Sequence, residues 1–289
     1  MRFSSFFKTY YYMTKPGIVR GNVLTVIAGY LLAAKGHFVL TTFVGVTIGT
    51  AIVIASACVI NNYIDKNIDK KMERTKKRAL VTGEVSAASA LLFAGVLGVI
   101  GFITLALFTN VTTLFVGVVA YIFYVVIYAA AKRASYHGTL IGAIPGALPP
   151  VAGYVAVTGS LDFGALLLFL VMFFWQLPHF YAIAIYRRKE YAAAGIPVMT
   201  VAKSVAATKR AIMWYILAFM VAVVCLAVSG YTGITYLCVM LLIGALWFFL
   251  GLRGFKTTHS DKWARSMFRF SLIVTFVFSI MISIDNLLI

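Results

Sequence analysis

Nine long apolar runs, broken by short polar stretches, make up most of this 289-residue chain. They cover about 18–34, 39–60, 88–108, 111–131, 139–158, 161–186, 211–229, 232–252 and 268–288. Each is close to the roughly 20 apolar residues a helix needs to cross the hydrocarbon core of a bilayer. The pattern predicts an all-α, polytopic membrane protein with nine transmembrane helices around a central cavity, folded as a single domain over residues 1–289. The connections alternate between long basic and short neutral. The N-terminal stretch holds Arg2, Lys8, Lys15 and Arg20, the 2–3 loop holds seven Lys and Arg between Lys66 and Arg78, and the 4–5 link holds Lys132 and Arg133. The 6–7 loop runs from Arg187 to Arg210 and the 8–9 loop from Arg253 to Arg269. Of the 25 Lys and Arg only Lys35 falls on the opposite side, so the positive-inside rule places the N-terminus and the long loops in the cytoplasm.

Composition agrees: 62% of residues are hydrophobic and 11% charged, and the mean hydropathy is +0.98, far from a soluble domain. The net charge of +17 would suit nucleic acid in a soluble protein, but in so apolar a chain it sets topology and no nucleic-acid partner is expected. Cys58, Cys225 and Cys238 lie inside apolar runs without CxxC spacing, which indicates neither a disulfide framework nor a zinc site. The opening "MRFSSFFKTYYYMTKPG" lacks the apolar core of a signal peptide, and its aromatics suit a membrane interface. Without an Arg/Ser-rich transit stretch before the first run, a bacterial inner membrane is the expected location, with the active site facing the cytoplasm.

Six of the eight acids also fall on the basic side, which charge balance alone does not require. "NNYIDKNIDKKMERTKKR" (61–78) packs three acidic and seven basic residues directly after an apolar run. Asn61, Asp65 and Asp69 are spaced i, i+4, i+8, one face of a helix with a drift of about 40° per step. At the centre of a membrane helix a charge costs at least about 2.5–3.5 kcal/mol, so these side chains must face water, each other or a cation. Such oxygen ligands suit Mg²⁺, which combines one or two carboxylates with substrate phosphate oxygens. Arg74, Lys77 and Arg78 follow closely, and guanidinium groups beside an oxygen-rich metal site suit a diphosphate. A solvated helix laced with i,i+4 ion pairs fits this stretch alone equally well.

An NxxxDxxxD motif at the cytoplasmic end of the second of nine helices resembles the UbiA-type intramembrane prenyltransferases. "TKPGIVRGN" (14–22), "NNYIDKNIDKKMERTKKRALVTG" (61–83), "AKRASYHGTLIGAIPGALPPVAGYVAVTG" (131–159) and "WQLPHFYAIAIYRRKEYAAAGIPV" (175–198) narrow the resemblance, over essentially the whole chain, to the family's haem-farnesylating branch. That resemblance implies farnesyl diphosphate and haem B as substrates, Mg²⁺ as cofactor, and a hydroxyethylfarnesyl haem (haem O) as product, released to a terminal oxidase or a haem A synthase. It implies Asn61, Asp65 and Asp69 as metal and catalytic residues, with Arg74, Lys77 and Arg78 as diphosphate clamps. Two positions depart from the family pattern. Asn67 replaces a usual acid, outside the oxygen stripe, and Glu190-Tyr191 stands where the family has Asp-Tyr. The second loop thus carries Glu190 as its candidate acid, near His179, in place of a second Asp-rich motif.

On the same footing, Lys132 and Arg133 are candidates to meet the diphosphate or the haem propionates. His179 in "WQLPHF" and, less directly, His137 are candidates for the haem. His37 and His259 read as ordinary surface residues. Tyr121, Tyr124 and Tyr128 run i, i+3, i+7 along the fourth helix, where a face of rings can line a prenyl pocket and shield a carbocation, or simply pack. Gly138, Gly142 and Gly146 form a small-residue stripe beside Pro145, Pro149 and Pro150, which reads as architecture that shapes the cavity. Two rivals remain from sequence: a prenyltransferase acting on a quinone precursor and, from another class, a secondary transporter. Transporter sites lie near the bilayer midplane, whereas the acids here cluster at helix ends.

Overall fold

The computed structural model describes the backbone of residues 3–285 and side chains from Phe7 onward; Arg2 and the end of the last expected run, 286–288, lie outside the described residues. Among the described residues the structure is helical, without strands, and nine helices are long and apolar enough to cross a membrane. These spans are α2 (Pro16–Ala34), α3 (Leu40–Ile64), α6 (Ala87–Phe108), the continuous segment Val111–Ala134, α9 (Gly138–Thr158), α10 (Phe163–Tyr186), α13 (Val205–Val228), α14 (Ile234–Lys256) and α15 (Ser260–Ile284). The segment Val111–Ala134 comprises α7 (Val111–Ile122), one π-helical turn (Phe123–Ile127) and α8 (Tyr128–Ala134). Short helices α1 (Phe3–Met13), α4 (Lys66–Asp69), α5 (Ala79–Thr82), α11 (Arg188–Ala193) and α12 (Met199–Ala202) complete the chain.

Side chains that cannot continue a helix set several boundaries. Ser86, Asn110, Asp162 and Ser204 are N-caps whose side chains accept the N–H of Ser89, Thr113, Ala165 and Ala207. The expected spans differ most at 211–229 and 268–288, where the helices begin at Val205 and Ser260. Those first turns carry Lys209, Arg210, Lys262 and Arg265, too polar for an apolar run yet fully helical in backbone.

Each span packs on the next in chain order, from α2 on α3 through α6, α7, α9, α10, α13 and α14 to α15, and α15 packs back on α2, so the spans close a ring. The tightest crossing joins α2 to α9. A Cβ on Gly29 would sit 2.0 Å from the Pro150 carbonyl oxygen, and one on Gly153 would sit 2.0 Å from that of Val26, so only glycine permits this approach. The expected small-residue stripe has a different use. Gly138 abuts the backbone of Lys132, Gly142 the ring of Tyr128, and Gly146 the side-chain amide of Gln176. The stripe thus seats α8 and α10 close to α9, where they wall the interior.

At one end of the ring the basic connections meet. Lys15 bonds Asn61, Lys132 bonds Asp65, Met72 packs with Ala194 and Ile196, and Lys209 donates to the Gly254 carbonyl and to Ser260 Oγ. At the other end Asn110 Nδ2 donates to the Val155 carbonyl, and the Gly233 N–H donates to Asp285.

Candidate active site

A cavity of about 1040 Å³ opens inside the ring. Its wall includes α2, α3, α7–α8, α9, α10 and α15, with the connection after α3 across one end. Asn61, Asp65 and Asp69 all line it and are 4–5% exposed, so the three oxygen-bearing side chains predicted on one stripe do converge on one space. They do not share one straight helix. α3 stops at Ile64, Asp65 caps it, and Asp69 ends the four-residue α4. The Asp65 and Asp69 amides still bond back to Asn61 and Asp65, which keeps the i, i+4, i+8 direction through the break.

Each of these residues is held by a cation. Lys15 Nζ donates to Asn61 Oδ1 at 2.6 Å, Lys132 Nζ pairs with Asp65 Oδ2, and Arg78 donates to Asp69 Oδ2 at 2.5 Å. Arg133 stands 3.5 Å from Asp65 Oδ1 and donates to the Ile64 carbonyl. The Asn61 Nδ2 amide is buried without a hydrogen-bond partner. Among the described residues no three His, Cys, Asp or Glu side chains converge to hold a metal, and the oxygen that joins Asp65 and Asp69 on the wall is the Asn61 amide. Two carboxylates and an amide oxygen in one polar pocket are the donor set of a hard cation such as Mg²⁺, which would take the place that Lys15, Arg78 and Lys132 hold on those oxygens.

Lys15 is the residue that motif reasoning missed. It adopts φ 53°, the left-handed region, immediately before Pro16, which costs a non-glycine residue about 1–2 kcal/mol. Enclosure in the cavity pushes its ammonium down to about 8 by desolvation. In the sequence Lys15 stands inside "TKPGIVRGN", where its charge by itself reads as a topology marker.

The remaining candidates divide between wall and periphery. Arg74 and Arg78 line the cavity, and Arg74 makes no ion pair among the described residues. Lys77 is exposed and does not reach the wall. Arg133 and Asn67 border a separate hollow of about 210 Å³, and Asn67 does not line the large cavity. Glu190 pairs with Arg187 and leaves Oε2 buried without a partner. It is not on the cavity wall, whereas its neighbour Tyr191 is, with burial pushing the phenol up and keeping it a proton donor.

Tyr121, Tyr124 and Tyr128 line the cavity together. Tyr124 and Tyr128 stack with centroids 5.7 Å apart, and Tyr121 Oη hydrogen-bonds Ser56 Oγ at 2.9 Å. The π-helical turn between them adds one residue to the turn, a feature that the residue pattern does not announce. Lys132 stands 5.5 Å from the Tyr128 centroid, so rings and cation share this corner. His179 lines the cavity from α10, whereas His137 is exposed and packs on Tyr136 at 4.0 Å.

The UbiA prenyltransferase family matches residues 22–273. A relative from Edwardsiella ictaluri named protoheme IX farnesyltransferase is 48% identical over 279 residues, 96% of this chain and 94% of that protein. A protein of the same name from Yersinia pseudotuberculosis is also 48% identical, over 96% and 95% of the two chains. Among solved structures, a digeranylgeranylglyceryl phosphate synthase superposes with a TM-score of 0.80 at 17% identity, covering 98% of this chain and 99% of that one. A UbiA homologue from Archaeoglobus fulgidus bound to GPP and Mg²⁺ superposes with a TM-score of 0.65 at 14% identity, covering 95% and 99%. At those identities the structural likeness speaks for the fold.

Proposed function

This chain belongs to the UbiA prenyltransferase family, and from that premise we propose that it farnesylates haem B, using farnesyl diphosphate to make haem O and diphosphate. The observation that carries the proposal is the set of three buried oxygen side chains, each held by a cation, at one end of a cavity lined further on by tyrosines and His179. Nearly full-length kinship with proteins named protoheme IX farnesyltransferase supports the choice of haem over a quinone precursor. The whole chain acts as one intramembrane unit in a bacterial inner membrane, with the basic end in the cytoplasm.

Asn61, Asp65 and Asp69 would hold Mg²⁺, which when bound neutralises diphosphate oxygens. The chain's own residues do the rest. Lys15, Arg78 and Lys132 sit on the three oxygen side chains, close enough to contact a diphosphate that occupies the same corner. Arg74, free of an ion pair among the described residues, adds a guanidinium at the wall. Together they stabilise the negative charge that develops as the allylic C–O bond breaks. Lys77, exposed and off the wall, contributes long-range positive potential instead of a clamp, while Arg133 backs Asp65 from 3.5 Å. Tyr121, Tyr124 and Tyr128 present aromatic surface to the farnesyl cation and exclude water from it. The haem vinyl carbon bonds farnesyl C1, water adds to the resulting cation beside the pyrrole, and loss of a proton leaves the hydroxyethylfarnesyl group. His179 is the haem-facing histidine, with His137 outside the cavity. Glu190 keeps Arg187 in place at the rim. Haem O leaves through the bilayer to a terminal oxidase or a haem A synthase.

The test is direct. Purified protein in detergent receives haem B, farnesyl diphosphate and Mg²⁺, and haem O is sought by chromatography and mass spectrometry. Prenylated 4-hydroxybenzoate with no haem O would sink the haem assignment, and solute flux into proteoliposomes without covalent product would replace it with transport.

A further inference from the structure

We infer that His179 binds the haem iron through Nε2, in a ring tautomer selected by Ser271, which makes Ser271 a positioning residue for the substrate. The inference rests on the haem-farnesylation proposal and deepens it. His179 on α10 places Nδ1 2.7 Å from Ser271 Oγ on α15. That hydroxyl also donates to the Phe268 carbonyl at 2.6 Å. A hydroxyl has one proton and two lone pairs, so with its proton committed to Phe268 it can only accept from the imidazole. Nδ1 therefore carries a hydrogen, and in the neutral ring Nε2 carries the lone pair.

The surroundings fix the ring in this state. Ser271 is wholly buried, and its backbone carbonyl accepts the Trp175 Nε1–H at 2.8 Å. Trp175 and His179, one turn apart on α10, thus both dock on a single residue of α15. The Trp175 ring stacks on the imidazole with centroids 5.2 Å apart, and the Phe268 ring lies 4.8 Å away. Nε2 has no hydrogen-bond partner among the described residues, and His179 lines the large cavity. A neutral imidazole whose Nδ1–H is given to a protein oxygen, with Nε2 open to a substrate space, is the arrangement by which histidine ligates metals. The outer bond fixes the ring and raises its basicity. His137 offers no such arrangement, being exposed and outside the cavity. Iron ligation on the α10–α15 wall also leaves the cluster of Asn61, Asp65 and Asp69 free for the diphosphate.

Resonance Raman spectra of the ferrous haem complex in detergent test this, together with haem titrations. Wild type should show an iron–histidine stretching band, lost in His179→Ala and regained when imidazole is added to His179→Gly. Ser271→Ala should shift that band to lower frequency and weaken haem binding about 10–100-fold, the usual effect of losing an outer-shell partner. Ser271→Thr, which keeps the hydroxyl, should restore both. Thermal shifts induced by farnesyl diphosphate with Mg²⁺ should match wild type in every variant, which separates ligation from misfolding. The inference is overturned if His179→Ala keeps the band, if His137→Ala loses it, or if Ser271→Ala leaves both frequency and affinity unchanged. Haem O formation by a wild type that lacks the band overturns the inference alone. The band without haem O formation upholds the iron site and removes the transferase proposal.

Discussion

Asp65→Asn separates the electrostatic role of the oxygen cluster from its structural one. The substitution keeps the shape and removes one negative charge. The Asp65 side chain is 6% exposed and that of its partner Lys132 13%, so the change strands a largely buried ammonium. Removing one partner of a buried pair costs about 3–5 kcal/mol. Lys132 borders the cavity and keeps the Tyr128 ring 5.5 Å away, so the lower end, about 3 kcal/mol, is expected. Activity should fall further than stability explains, because a proposed metal ligand is lost as well. A missing preorganised group at a developing charge costs about 10²–10³-fold in kcat. The second perturbation, Asp65→Asn with Lys132→Met, removes the stranded charge and should recover most of the lost thermal stability in detergent. It should not recover haem O formation, measured as initial rate by chromatography. Activity of Asp65→Asn within tenfold of wild type, or its return in the double variant, would refute the assignment of Asp65 to the reaction.

Gly153→Ala should destabilise the fold by an overpacking cost of about 1–3 kcal/mol, since its Cβ would meet the Val26 oxygen at 2.0 Å, and so lower the thermal midpoint in detergent; an unchanged midpoint would mean that α2 and α9 can separate freely. Lys209→Met removes bonds to the Gly254 carbonyl and Ser260 Oγ, each worth about 1.5–3 kcal/mol for a charged donor, yet should leave kcat intact, because Lys209 is not on the cavity wall. A drop in kcat without loss of stability would contradict that division. Tyr124→Leu should cut turnover by about 30-fold, equivalent to a desolvated cation–π contribution of about 2 kcal/mol, while Tyr124→Phe stays near wild type. Equal losses in the two variants would point to the hydroxyl, not the ring.

Some features were legible because they depend on solvent alone. Apolar run length set the nine spans, since lipid demands about 20 apolar residues per crossing. The oxygen stripe stood out because carboxylates beside a membrane run need a reason to be there. The helix starts at Val205 and Ser260 were less legible, because polar first turns outside the hydrocarbon look like loop in a hydropathy pattern. The π-helical turn at Phe123–Ile127 leaves no mark in composition or period.

The sequence by itself determined the membrane class, the segregation of charge to one end, and the i, i+4, i+8 stripe of oxygen side chains proposed to hold a cation. Only the tertiary structure decided which charges face the cavity. Lys77 and Arg78 are neighbours in the chain, yet Arg78 reaches Asp69 while Lys77 points to solvent. Lys15, 46 residues from Asn61 in sequence, lies 2.6 Å from its side-chain oxygen. The pairing of His179 with Ser271 spans 92 residues. The physical reason is that hydrophobicity and local periodicity act along the chain, whereas ion pairing and tautomer choice depend on which helices the closed ring brings face to face.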